Sequence, residues 1–327
     1  MTEPVVTLAQ IVVILVAVLI AAALLTWAER RLLGLWQDRY GPNRVGPFGL
    51  LQPIADVIKL MMKEDFIPPA ADKPVYVIAP MVVMSTGLIA FAVIPFAPGI
   101  GIADLSIGLL FFLAITGLTV YGIVLGGWSS NSKYSLLGGL RGAAQMISYE
   151  VFLGLALMGV VLQAGSFDLR AIVQAQAGLW FVVPQFLGFV LFMIAGVAEL
   201  HRLPFDLPEA ENELVAGYHT EYSSMKFGMF FVGEYVGMIL LGAMTTTLFL
   251  GGWLGPVLPP LLWFVLKTAV VVLFIVLLRA AQPRPRYDQL MSLGWKLLLP
   301  LALLNLVVTG GFVVAASAGA AGAGGAA

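Results

Sequence analysis

The 327-residue chain has no cysteine. Iron–sulfur clusters are held by thiolates, so no ordinary cluster of its own is expected. Histidine is nearly absent too. His201 and His219 lie eighteen positions apart between apolar runs, a spacing that suits neither haem nor tetrahedral zinc. Neither a P-loop nor a G-x-G-x-x-G run occurs, so any nucleotide chemistry belongs to partners. Charge is scarce as well: 11% of residues are Asp, Glu, Lys or Arg, against ~25% in a soluble domain. The net charge of −1 excludes nothing by itself.

What the chain has instead is apolar length. Hydrophobic residues make up 60% of it, and a bilayer is crossed by ~20 apolar residues in a helix. Eight runs qualify: 5–27, 75–96, 105–127, 143–162, 179–198, 227–250, 257–278 and 297–316. The fifth has Pro184 near its start, tolerable where neighbours satisfy the freed carbonyl. The expectation is an all-α, polytopic membrane protein of about eight transmembrane helices. Residues 1–316 would form a single bundle with long loops at 28–74 and 199–226, and the Gly/Ala tail 317–327 would be disordered. The first run lacks a basic segment before it, which argues for an uncleaved helix rather than a signal peptide.

Fifteen of the seventeen basic residues fall in the odd-numbered loops, leaving only Arg170 and Lys267 elsewhere. Basic loops stay on the cytoplasmic side, so the odd loops are expected to face the cytoplasm and both termini the outside. Four polar groups interrupt the pattern. Within 50–62, Gln52, Asp56, Lys59 and then Lys63 recur at steps of four, three and four, one polar stripe on an otherwise apolar helix. Such a helix can lie in the membrane interface, or its stripe can line a polar cavity where a lipid-like ligand enters. Glu150 and Glu234 lie inside apolar runs, where an ionisable group costs ~3 kcal/mol or more and marks a functional site by default; a structural ion pair is the plainer alternative. Lys267 lies inside the seventh run and could be the partner of one of these glutamates. The fifth loop packs six carboxylates (Glu199, Asp206, Glu209, Glu211, Glu213 and Glu221) into 23 residues, with Arg202 among them. If that loop is helical, Glu209 and Glu213 share a face and Glu211 does not. A solvated acidic surface is the common reading of such a run. Its Pro204, Phe205, Leu207, Leu214 and Val215 argue for burial instead, which would raise some carboxyl pKa values.

Four strings carry a family resemblance: AERRLLG at 28–34 followed by QDRYGPNRVGP at 37–47, GWSSNSKY at 127–134, PFDLPEAENELVAGY at 204–218 and PRPRYDQLM at 283–291. They resemble the H-subunit family of bacterial respiratory complex I, the proton-pumping NADH:quinone oxidoreductase, over about residues 26–305. Asn212 stands where many members have Ser, and the Gly/Ala tail is not a family feature. The resemblance implies a multi-pass subunit of the bacterial inner membrane, at the heel of the membrane arm beside peripheral quinone-site subunits and small membrane-arm subunits. It implies no metal and no catalytic redox centre in this chain. Quinone, ubiquinone or menaquinone, is the substrate, while NADH, FMN and iron–sulfur clusters belong to partner subunits; lipids are neighbours and nucleic acid is not. It further implies that Arg30, Gln37, Arg44, Asp56 and Lys59 border the quinone tunnel. Glu29, Glu150, Glu199, Asp206, Glu209, Glu211, Glu213, Glu221 and Glu234 would form a proton relay. An equivalent subunit of a membrane-bound hydrogenase, or a secondary ion transporter, remains the alternative.

Overall fold

A computed structural model describes residues 2–324, with side chains for 5–317. Seven of its helices are long and apolar enough to cross a membrane: Val5–Trp36, Lys73–Val93, Gly108–Ser129, Lys133–Ala164, Ser224–Phe249, Pro260–Ala281 and Tyr287–Ser317. We label the helices α1 (Thr2–Trp36), α2 (Gln52–Met62), α3 (Lys73–Ala90), α4 (Gly108–Gly117), α5 (Thr119–Ser129), α6 (Lys133–Ala164), α7 (Leu169–Ala175), α8 (Phe186–Glu199), α9 (Glu211–Leu214), α10 (Ser224–Phe249), α11 (Pro260–Ala281), α12 (Tyr287–Leu293) and α13 (Leu299–Gly324). Residues 325–327 of the expected tail lie outside the described residues. The protein is thus an all-α, polytopic membrane protein. Helix α6 packs on α5, α8 and α13, and α10 on α1, α3 and α11, so these two form the centre of the bundle.

Several spans differ from the apolar runs. Helix α1 continues to Trp36 and carries Glu29, α6 begins at Lys133 and carries Arg141, and the last span begins at Tyr287. Hydropathy ends a run at the first charged residues, whereas Arg, Lys, Glu and Leu are all good helix formers. The third span changes helix at Leu118.

The fifth run departs most. Its helix, α8, has only 14 residues, because Pro184 lies just ahead of it and 181–185 form turns. At 1.5 Å per residue that is about 21 Å, short of a ~30 Å hydrocarbon core. Its neighbours show which part is missing. Val182 donates to the Phe249 carbonyl at the carboxyl end of α10. Gly196 packs on Leu241, and a Cβ on Gly237 would come within 2.7 Å of Leu200. The carboxyl end of α8 therefore lies level with the middle of α10. The chain from Leu200 to Ser223 has to climb the remaining half of the bundle as irregular backbone, which lipid does not tolerate unless it is enclosed by protein or lines a hydrated cavity.

Lys267 is not the partner of Glu150 or Glu234. Its ammonium donates to the carbonyls of Leu250 (2.6 Å), Gly252 (3.1 Å) and Leu254 (2.7 Å). It also lies 4.2 Å from the Trp180 ring centre and 5.6 Å from that of Trp263. All three donors are used, on carbonyls at and just past the carboxyl end of α10, where a helix favours cations. Lys267→Met should leave those carbonyls unsatisfied and destabilise the fold by about 2–4 kcal/mol. Thermal unfolding should show a lowered midpoint; a midpoint equal to wild type would mean that these carbonyls find other donors.

Candidate functional site

The irregular stretch 200–223 delivers Arg202 to the bundle interior, 5% exposed. Its Nη1 lies 2.7 Å from Oε1 of Glu29 on α1, itself 1% exposed, and its Nε contacts the Glu234 carboxylate on α10. Arg279 from α11 reaches the same Glu29 oxygen, and the Tyr235 ring centre lies 4.5 Å from the Arg202 guanidinium carbon. Two arginines thus face two glutamates from α1, the loop, α10 and α11. Removing one member would leave an uncompensated buried charge, costing ~3–5 kcal/mol. Arg202, although burial opposes its charge, is held firmly protonated by Glu234 and Glu29.

Further along the loop, Glu209 Oε1 lies 3.2 Å from His219 Nε2. Arg284 Nη2 donates to the Asp206 carbonyl at 2.5 Å. Burial, and then the nearby Glu209 charge, raise the Asp206 pKa to about 7 against the pull of Arg284 and Arg279. Burial acts on Glu209 in the same direction, but the His219 hydrogen bond and charge outweigh it and hold Glu209 below its usual range.

Two cavities meet here. One, about 190 Å³, is lined by Arg202, Asp206, Glu209, Glu211, Glu234 and Arg279 among others. The second, about 90 Å³, runs from Glu209 and Glu234 past mostly apolar walls to Glu199 and Thr116. Thr116 hydrogen-bonds the Glu199 side chain, and Glu150 acts on Glu199 electrostatically. The Glu150 carboxyl lies against Gly117 at the end of α4, where a Cβ would come within 2.6 Å of its oxygen. The side chains therefore follow one another from Asp206 and Glu209 through Glu234 to Glu199 and Glu150.

Not every acidic residue joins this series. Ala210 takes a left-handed conformation (φ 34°), so helix α9 holds only Glu211–Leu214. Glu209 turns in to His219, while Glu213 turns out to Arg141 at 2.5 Å; the two do not share a helical face. Glu211 is exposed at the rim of the larger cavity, and Glu213 and Glu221 line neither cavity. Of the tunnel candidates, Asp56 gathers Arg30 at 2.5 Å, Lys59 at 3.5 Å and the Gln52 amide at 2.9 Å. Burial opposes ionisation of Asp56, but these hydrogen bonds and charges lower its pKa overall. Helix α2 packs on α1 and α10. Gln37 and Arg44 lie on the exposed connection between α1 and α2, where Gln37 accepts from Arg39 at 2.9 Å.

Sequence reasoning missed Arg279 and Arg284, read only as markers of orientation, and the two histidines, read only for metal spacing. The signal available was Glu29 itself: a glutamate next to an apolar run needs a cation, and loop seven has three arginines. Among the described residues no group of three or more His, Asp or Glu has metal-binding geometry.

A buried acid whose folded pKa is raised costs stability as pH climbs from its ordinary value, 3.8, to its raised value of about 7, and no further above that. The stabilising effect of Asp206→Asn should therefore grow between those pH values and level off beyond. Thermal midpoints of wild type and variant across pH 4–9 test this; a pH-independent difference would refute it.

The sequence profile of the NADH dehydrogenase family matches residues 9–310. The chain is 64% identical over 303 residues to the H subunit of the NADH-quinone oxidoreductase of Methylococcus capsulatus (strain ATCC 33009 / NCIMB 11132 / Bath), covering 92% of this chain and 96% of that protein.

Proposed function

Since the chain belongs to the NADH dehydrogenase family, as a membrane subunit of an NADH-quinone oxidoreductase, we propose that it walls the quinone tunnel and relays quinone chemistry to proton pumping. The observation that carries this reading is the pair of cavities sharing Glu209 and Glu234. They connect an enclosed acidic loop to carboxylates deep in the bundle, and groups of perturbed proton affinity in a cavity are those suited to passing protons.

A quinone needs an apolar channel for its tail and polar groups for its head. Helix α2 supports both. Its Ile54, Ile58 and Met61 are exposed apolar side chains, while Asp56, Arg30 and Lys59 form the polar cluster beside α1. Reducing quinone to quinol takes two electrons and two protons. The electrons come from partner subunits that hold NADH, FMN and iron–sulfur clusters; this chain supplies the wall and the proton path. At an effective dielectric of ~20, a unit charge changed ~8 Å away is worth about 2 kcal/mol, or roughly 1.5 pKa units. That is enough to change protonation at Asp206, already near neutrality, and to pass the effect on through Glu234, Glu199 and Glu150. The basic bias of the odd loops supports an inner-membrane orientation with those loops cytoplasmic, next to the peripheral arm, and the termini periplasmic.

Glu150→Gln and Glu234→Gln should each lower quinone-coupled activity by about tenfold or more, equivalent to ~1.4 kcal/mol of lost coupling. Electron transfer from NADH to ferricyanide should persist. Wild-type quinone reductase rates in both variants would remove these residues from the relay. Asp56→Asn should raise the apparent KM for a short-chain quinone several-fold with little change in kcat; an unchanged KM would leave α2 as an interfacial helix only.

A further inference from the structure

The relay reading leaves both histidines without a role, yet each lines the larger cavity. His201 directly follows α8 and Leu200, with a left-handed backbone (φ 54°). It is 8% exposed and its Nε2 has no hydrogen-bond partner. An imidazole nitrogen held in the interior without a partner and facing a cavity of about 190 Å³ marks a hydrated chamber, since a water occupies ~30 Å³ and bridges such groups. His219 lies at the other end of the loop. Its ring packs edge-on against Tyr218 and Phe227, which leaves Nε2 aimed at Glu209.

Resting on the relay reading, we propose that His219 is the proton-loading residue of this chamber, an imidazolium docked on Glu209 that transfers its Nε2 proton to that carboxylate and is reprotonated from the loop side. The step balances simply. The N–H bond at Nε2 breaks, an O–H bond forms on Glu209, imidazole and carboxyl are both left neutral, and no electron moves. In water the ion pair would win decisively. In an enclosed site the desolvation of two ions reduces the advantage of the ion pair over the neutral pair, so a change of charge in the chamber can move the proton across to Glu209. A proton on Glu209 then borders both cavities, with Glu234 as the next carboxyl.

The surrounding charges agree with this assignment. Glu209 and Asp206 on the loop and Glu234 on α10 line the same chamber, with Glu211 at its rim; Arg202 and Arg279 also reach it, and both are already engaged by Glu29. Burial opposes the charge on His219, but the Glu209 hydrogen bond and the Glu209 and Glu234 charges prevail and raise its pKa. Burial dominates at His201 and lowers its pKa to about 4. The two histidines thus shift in opposite directions: contact with Glu209 favours the proton on His219, while burial leaves His201 neutral, its nitrogen open to the chamber.

The test uses the assembled complex in proteoliposomes and follows quinone-driven proton pumping across pH 5–9. His219→Asn and His219→Gln keep a hydrogen bond to Glu209 without a titrating group. Both should lower pumping about tenfold or more near neutral pH, and the limb of the wild-type pH profile that falls as His219 loses its proton should disappear. An unshifted profile, or one lowered in parallel at every pH, would overturn the proposal, as would failure of both variants to assemble, which marks a structural residue. Glu234→Gln in the same assay separates the two readings. If it abolishes pumping while the His219 variants pump normally, the relay stands and His219 is not part of it. If it too pumps normally, the relay reading itself falls and this proposal with it.

Discussion

The constraint on which the rest of the structure depends is the short reach of α8. A helix that stops level with the middle of α10 leaves half a membrane thickness to be crossed by 200–223. Backbone without helical hydrogen bonds has to be enclosed by protein there. The enclosure is what gives the loop its chemistry. Residues that would have formed a solvated acidic surface are carried between α3, α6 and α10, where their proton affinities respond to one another.

Arg202 makes the enclosure stable. It enters with the loop and is met by Glu29 and Glu234, while Arg279 adds a second cation at Glu29. Because the four groups come from four separate stretches of chain, the cluster ties α1, α10 and α11 to the loop and closes the larger cavity on one side. Of the remaining carboxylates, Glu209 meets a histidine, which can give up its charge, and neither Asp206 nor Glu199 forms an arginine salt bridge among the described residues. Carboxylates without a permanent arginine partner are the ones that the proposed relay requires, since a closed ion network would hold its charges fixed.

The parts of this arrangement that were legible in the sequence are those set by local periodicity. Apolar length gave seven spans and the existence of an eighth apolar helix, and the four-three-four spacing gave the stripe that brings Gln52 and Lys59 to Asp56. Pro184 warned of an irregular fifth span, but its consequence for 200–223 depends on which part of α10 lies beside α8, a tertiary fact. Arg279 and Arg284 were invisible as site residues because their partners are far away in the chain. The opposite directions of Glu209 and Glu213 hang on a left-handed Ala210, a conformation for which alanine gives no signal. Helix ends at Trp36 and Lys133 were misjudged because hydropathy reports solvation, whereas helices continue wherever propensity and packing allow.

The Glu29 pairing also bears on how the chain is built. Glu29 belongs to the first helix made, but its two arginines follow 173 and 250 residues later. A ribosome adding ~5–20 residues per second would need on the order of ten seconds or more to supply the first of them. During that interval the carboxyl group has none of its final counterions. It has to wait protonated, or sheltered by the insertion machinery, until the loop and then α11 arrive. Synthesis order alone thus makes the amino-terminal helix a provisional resident of the bilayer, fixed in place only when α11 has emerged.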